Sequence, residues 1–381
     1  MMKIVRASTI PLSLNVFCRG LLSRLSAEYD VLAVSSPGPD LDEVAGREGV
    51  RTAPVPMKRH ISPLADLRSL WRMWRLFRRE KPAMVHSLTP KAGLLCMMAG
   101  RMAGVPVRVH TFTGLVFPTS KGLKRKLLML TDRITCACAT HIVPEGRGVM
   151  DDLRQYGITR RPMRVLGHGN IRGIDLKHYR RTPDIDRQAA EIRQNLGVND
   201  GDIVLVFVGR LVADKGVAEL VRAFTAIDDP GLHLLLVGPE EPGVDPLDES
   251  TAGTIGTHPR IHAVGPQPDV RPYLAAADVS VLPSYREGFP NVVIESGAME
   301  LPCIVTDING SREIIEHGRN GLIVPPRDAD ALKEAIVSIC ADTGLRHSLA
   351  ANGRPMVASR FEQGYVWNCL TDFYHEILPA Q

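Results

Sequence analysis

The sequence predicts an α/β protein of two domains, each a parallel sheet wrapped by helices. Three observations carry this. Short apolar runs alternate with helical stretches along the whole chain, which is the pattern of strand–helix–strand units. The 381 residues, 44% hydrophobic and 23% charged, suit two ordinary globular domains. Charge also divides unevenly: residues 1–175 hold 28 Lys and Arg against 13 Asp and Glu, a balance of +15, and the remainder stands at −11. The first domain is therefore placed at 1–175 and the second at 176–360.

In the first domain the strand-like runs are 4–7, 31–34, 50–55, 84–88, 107–112, 141–143 and, last, 163–166. The opening Met2-Lys-Ile-Val-Arg-Ala7 reads as a strand rather than a signal peptide, and no apolar run reaches the length of a membrane span. In open parallel sheets the ligand crevice lies outside the carboxyl ends of the strands, so chemistry is sought in the loops 8–15, 89–91 and 110–117. Between strands runs a basic amphipathic stretch, 58–81. Leu64, Leu67, Leu70 or Trp71, Trp74 and Phe77 recur at helical spacing, with Arg68, Arg72, Arg75, Arg78 and Arg79 among them. Such a helix either packs its apolar stripe on the sheet or lies in an anionic lipid interface. Lys121-Gly-Leu-Lys-Arg-Lys126 repeats the theme. Together they favour contact with an anionic membrane. Nucleic acid is disfavoured, because no stacking platform or helix-turn-helix pattern accompanies the charge.

The glycine-dense stretch 166–176 reads as a hinge. Asp184-Ile-Asp186 has the form of a metal-binding DxD, but it opens a helical run, where such acids serve as caps or surface turns. Seven cysteines without paired spacing read as buried thiols in a reducing compartment.

The second domain begins with Asp202-Ile-Val-Leu-Val-Phe-Val-Gly-Arg-Leu211, a buried parallel-type strand ending in Gly209 and Arg210. Its loop continues through Asp214-Lys215-Gly216 into a helix at about Val217. An arginine fork and a lysine charge at a strand–helix junction suit a diphosphate. Strands 232–237, 261–264, 278–282 and 303–306 follow. The fourth of these five strands leads into Ser284-Tyr-Arg-Glu287-Gly288-Phe289-Pro290-Asn291-Val-Val-Ile-Glu295, a loop and then a helix whose first turn Asn291 is placed to cap. Helix N-termini attract phosphate. Glu287 and Glu295, with seven residues between them, can accept hydrogen bonds from sugar hydroxyls at two separated points.

Glu287-Gly-Phe-Pro-Asn-Val-Val-Ile-Glu295 resembles the paired-glutamate signature of the retaining glycosyltransferases called family 4, and Gly209-Arg-Leu with Asp214-Lys-Gly216 is similar to the same family. The likeness covers nearly the whole chain and is most specific over 202–325. It implies the GT-B fold, two Rossmann-like domains with a cleft between them, and a C-terminal helix within 361–381 packing back on the first domain. It implies a donor site of Gly209, Arg210, Lys215, Gly265, Glu287, Gly288, Phe289, Pro290, Asn291 and Glu295. Of these, Glu287, Arg210 and Lys215 would be catalytic, Glu295 would hold the ribose, and the loop opened by Gly265 would meet the base. On the acceptor side, His110-Thr-Phe-Thr113-Gly114 resembles the family's His-Thr-Phe-His-Gly, with Thr113 where the family's functional histidine stands. The first loop also lacks the glycine pair that many members carry there.

The implied reaction moves a sugar, an N-acetylhexosamine by this reading, from a UDP-sugar to a lipid-linked saccharide at the inner face of a bacterial membrane. The nucleotide-sugar is a substrate, and no metal or other cofactor is expected. A cytoplasmic enzyme, peripheral on the membrane, fits. The alternatives are a sugar-nucleotide 2-epimerase on the same fold and a non-catalytic sugar-nucleotide-binding scaffold.

Overall fold

The computed structural model describes residues 1–58, 60, 62–241, 243 and 245–379. Arg59 and Ile61 of the basic stretch, and residues 380–381 of the C-terminal segment, lie outside the described residues. The chain divides into two compact units: Met1–Gly173 with Gln363–Gln381, and Ile174–Glu362.

In the first unit the described strands are β1 (Lys3–Ala7), β2 (Asp30–Ser35), β3 (Arg51–Pro54), β4 (Met84–Ser87), β5 (Val107–Phe112) and β6 (His141–Pro144). They form one parallel sheet in the order β3-β2-β1-β4-β5-β6. The order reverses between β1 and β4, so the loops after these two strands open at a topological switch point. The run 163–166 is not a strand: Met163 makes a single bridge to Ile142, and the glycines that follow turn the chain away.

Helices α1 (Pro63–Glu80), α2 (Pro90–Ala103) and α3 (Gly122–Cys138) cover one sheet face, with α1 and α3 both against α2. The inward face of α1 keeps only part of the expected stripe, with Leu70 and Trp74 packed against the core. Ser69, Met73, Leu76 and Phe77 are buried, and Leu64, Leu67 and Trp71 point to solvent. On the opposite sheet face the last helix of the chain buries Leu370, Phe373 and Tyr374 among Ile4, Leu22, Val31 and Val109. That helix is also tied by a polar network. Arg6 on β1, wholly buried, donates from Nη1 to His86 Nδ1 at 2.6 Å and to the Tyr374 hydroxyl at 2.7 Å.

The second unit opens with α4 (Pro183–Asn195). Thr182 caps it through Ile185 N, while Asp184 and Asp186 hold Arg187 and Arg181 at its surface. Its strands are β7 (Ile203–Val208), β8 (Leu232–Val237), β9 (Ile261–Ala263), β10 (Val279–Leu282), β11 (Cys303–Thr306) and β12 (Gly321–Val324). They form a second parallel sheet, β12-β11-β10-β7-β8-β9, reversing between β7 and β10. Val, Ile, Leu and Phe fill β7 and β8 because a parallel sheet is covered on both faces. Three helices follow the strands that matter below: α5 (Val217–Thr225), α6 (Asn291–Ala298) and α7 (Ser311–Ile314). The chain ends in α8 (Gln363–Ile377), the helix that packs on the first unit's sheet.

Candidate active site

The loops after β7 and β10 flank the switch point of the second sheet, and both carry residues singled out in the sequence. Gly209 N bonds to Val237 O at 2.9 Å, which brings Arg210 to the end of β7. The chain then makes one 3₁₀ turn, Ala213–Lys215, and Gly216 passes it into α5 in a left-handed conformation, φ 69°. A Cβ on Gly216 would lie 2.1 Å from the Pro283 carbonyl oxygen, so only glycine lets the β7 loop lie against the β10 loop. Gly310 does the same on the other side, where a Cβ would meet Gly288 O at 2.5 Å. Three loop backbones are thus stacked edge to edge across β7, β10 and β11.

Side chains lock the first two loops together. Tyr285 N donates to Asp214 O at 2.9 Å, and Arg286 donates to Asp214 Oδ2 at 2.7 Å. Lys215 Nζ donates to Glu287 Oε1, with the two side chains only 17% and 15% exposed. The expected phosphate-binding cation and the expected sugar-binding acid are therefore each other's partner. Arg210 is held as well, its guanidinium on Glu241 Oε2 at 2.7 Å. The Tyr285 hydroxyl donates to Glu219 Oε2 at 2.5 Å, and the Arg327 guanidinium lies 4.4 Å above its ring. Burial, with the Glu219 carboxylate beside it, pushes the Tyr285 hydroxyl up from its usual range, so it stays a donor.

Behind this pair stands α6. Its N-cap is Pro290 and Asn291 is the first helical residue, so Asn291 does not occupy the expected capping position. The cap makes no side-chain bond and no acid sits in the first turn, which leaves a positive helix end beside Lys215 and Glu287. Glu295 is one turn further on and buried; Phe289 is buried edge-on against Phe361, at 5.4 Å between ring centroids. Gly265 turns the chain after β9 with φ 67°, and Gln267 folds back on Val264 O at 2.8 Å. Glu241, Glu219 and the Asp214–Arg286 pair were not singled out in the sequence. The only signal for them is an opposite charge on a loop that the fold makes adjacent.

The three residues expected on the acceptor side lie in the first unit, in the second half of β5 and just beyond it. His110 is buried, with its Nδ1 2.9 Å from Ser87 Oγ and its ring edge-on to Phe112. Burial holds the imidazole down at about 3, so it stays neutral. A Cβ on Gly93 would lie 2.3 Å from this ring, so His110 is packed as a core residue under α2. Thr113 spends its hydroxyl on Leu88 O at 3.2 Å, and Gly114 turns the chain at φ 124°. At the switch point between β1 and β4, Thr9 and Thr89 share a hydroxyl–hydroxyl bond of 2.7 Å, and Thr9 Oγ1 accepts from Ala92 N at 3.1 Å. The first loop is therefore held by a threonine clasp to the start of α2.

Two parallel six-stranded sheets, with paired opposite charges and a bare helix end at the second switch point, make the GT-B architecture. Solved structures agree: Anabaena HepE in complex with UDP superposes with a TM-score of 0.80 at 18% identity, covering 98% of this chain and 100% of that one. WaaG, a glycosyltransferase of lipopolysaccharide biosynthesis, superposes at 0.73 with 15% identity and full coverage of both chains. Residues 202–342 match the family "Glycosyl transferases group 1", and residues 14–169 match "Glycosyl transferase 4-like domain". The capsular polysaccharide biosynthesis glycosyltransferase CapM of Staphylococcus aureus is 33% identical over 352 residues, which is 92% of this chain and 90% of CapM. An Escherichia coli galactosyltransferase named for UDP-Gal and α-D-GlcNAc-diphosphoundecaprenol is 29% identical over 345 residues, 88% and 86% of the two chains. The chain belongs to this family of glycosyltransferases.

Proposed function

We propose that this enzyme moves a sugar from a UDP-sugar to a lipid-linked saccharide in bacterial surface-polysaccharide synthesis, with retained configuration at the transferred carbon. The Lys215–Glu287 pair beside the α6 N-terminus carries the reading, because it sets a cation for phosphate and an acid for hydroxyls at one switch point. Donor binding exchanges partners: Lys215 turns to the diphosphate and Glu287 to the sugar hydroxyls, while Glu295 takes the ribose. As the bond between sugar and diphosphate breaks, negative charge grows on the leaving oxygens. Lys215, Arg210 and the α6 amides stabilise it there, where it accelerates reaction. The acceptor hydroxyl attacks from the side the diphosphate leaves, and its proton passes to a leaving phosphate oxygen. That route requires no imidazole base, which suits a buried, neutral His110 and a Thr113 engaged with Leu88. UDP as the nucleotide is supported by HepE and by the E. coli relative, whose names carry it. The diphosphoundecaprenol in that relative's name supports a lipid-linked acceptor met at a membrane surface by a cytoplasmic enzyme.

The test is melting temperature with UDP, GDP, ADP and a panel of UDP- and GDP-sugars, since a ligand bound only to the folded state raises it by mass action. The expected result is a shift with UDP and larger shifts with one UDP-N-acetylhexosamine. A shift with GDP alone overturns the donor, and no shift with any nucleotide overturns the site.

A further inference from the structure

We infer that Glu241 is a positioning residue of the donor site that competes with UDP for Arg210: it yields the guanidinium to the diphosphate and reclaims it as UDP leaves. The inference rests on the donor reading proposed above and concerns how the product departs.

The charges of the site are the first support. The loops after β7 and β10 hold three cations, and each has its own acid: Arg210 on Glu241, Lys215 on Glu287 and Arg286 on Asp214. Every cation of the two loops is thus engaged, and the α6 N-terminus is the one positive end beside them with no acid in its first turn. A diphosphate binds here by exchange, taking cations from carboxylates that stay close by. Glu287, once displaced, has the sugar hydroxyls to hold in the reading above. Glu241 has no such second task, so its effect on binding is competition alone.

The second support is the way the acid is placed. Glu241 lies on the loop after β8, and that loop is fastened along the β7 loop. Leu211 N donates to Pro239 O at 2.8 Å, Ala213 N to Asp245 O at 3.1 Å, and Asp214 N to Asp245 Oδ2 at 2.7 Å. At the base of the two loops a Cβ on Gly238 would run into the Gly209 carbonyl oxygen, so only glycine allows this approach. Pro239 and Asp245 stand on either side of Glu241 in the chain, so the backbone itself brings the carboxylate to Arg210. Two free surface side chains would have no such support. The bond from Arg210 Nη1 to Glu241 Oε2, 2.7 Å long, is charge-assisted. Its side chains are 33% and 28% exposed, open enough for a ligand to reach.

The consequence falls on the end of the cycle. After transfer, UDP still holds both cations by its phosphates. Each carboxylate that takes its cation back lowers what UDP loses on leaving. Glu241 therefore acts on release through Arg210 and touches no reacting atom.

The test is calorimetric titration of UDP into the full chain, with the dissociation rate followed by stopped-flow displacement. A part-exposed ion pair is worth about threefold to fivefold in an equilibrium constant. UDP should therefore bind Glu241→Gln about threefold to fivefold more tightly than wild type, chiefly through slower dissociation. Glu240→Gln makes the same charge change one residue earlier, at an exposed acid with no ion-pair partner among the described residues, and should gain less than about twofold. In an Arg210→Met background the gain from Glu241→Gln should vanish. A merely structural Glu241 predicts the opposite sign, because its loss would disorder Arg210 and weaken UDP. Weaker or unchanged UDP binding in Glu241→Gln overturns the inference alone, as does an equal gain in Glu240→Gln or a gain that survives Arg210→Met. Failure of wild type to bind UDP sinks the donor reading, and the inference with it.

Discussion

Replacing Glu287 with glutamine should tighten UDP binding while abolishing most transfer. Lys215 is bound to Glu287, so UDP, binding as proposed, must draw the lysine away while its own phosphates approach a carboxylate. Two unit charges about 4 Å apart interact by roughly 4 kcal/mol at the effective dielectric of a protein surface. Desolvation and side-chain ordering return most of that. A pair with side chains 17% and 15% exposed then keeps a net value between exposed and buried pairs, about 1.5 kcal/mol. Glutamine keeps the shape, removes the competitor and frees the lysine, so UDP should bind about tenfold more tightly. UDP-sugar gains less, because the glutamine serves its hydroxyls less well than the carboxylate, and transfer should fall on the order of a hundredfold. Calorimetric titration of UDP, with transfer or slow donor hydrolysis as the activity, reads both numbers. UDP binding that is unchanged or weaker in Glu287→Gln would refute the competition. Tighter binding in Glu287→Gln would mean that wild-type Glu287 also helps expel UDP once the sugar has gone, because the bare acid reclaims its lysine.

Other substitutions probe the same argument elsewhere. Lys215→Met should weaken UDP and lower transfer together, measured on the same two instruments. Gly216→Ala forces a side chain into φ 69° and into the Pro283 carbonyl, so urea unfolding should show a loss of about 2–4 kcal/mol. Tyr374→Phe leaves the buried Arg6 short of an acceptor and should cost about 1–3 kcal/mol by the same measurement. Burial pushes the Asp132 carboxyl on α3 up to about 7, above its value of about 3.9 in an unfolded chain. The folded state then binds the extra proton between these values, so stability falls as pH rises from about 4 to 7 and is level beyond. Asp132→Asn should flatten that slope and raise the melting temperature at pH 8.

The strands were legible because a parallel sheet buries both its faces and leaves continuous apolar runs. The bounds of β5, β8 and β11 match the runs 107–112, 232–237 and 303–306. The position of Lys215 and Glu287 was legible too, each in a loop after a strand, and the fold sets both loops at the reversal of strand order. The inward face of α1 was legible only in part: Leu70, Trp74 and Phe77 meet the core, and Leu64, Leu67 and Trp71 do not. That helix carries two apolar rows, Leu64–Leu67–Trp71 and Met73–Leu76–Phe77, and periodicity alone does not say which meets the sheet. The engagement of the site's charges was not legible. Arg210 with Glu241 and Lys215 with Glu287 lie 31 and 72 residues apart, and only the folded sheet makes them neighbours. At Met163 the apolar residues fit a strand, but the chain makes a single bridge before Gly167 and Gly169 turn it.

The clasp of Tyr374 by Arg6 bears on how the protein is made. A ribosome delivers Arg6 hundreds of residues before Tyr374, with the whole of the second unit between them. The N-terminal sheet must wait through that interval with one face lacking its closing helix and a guanidinium short of a partner. The second unit, contiguous from Ile174 to Glu362, can fold as it emerges. The part synthesised first is therefore the part completed last. A stop codon or a tag that disturbs α8 should injure the sheet that begins with β1, and leave the second unit standing.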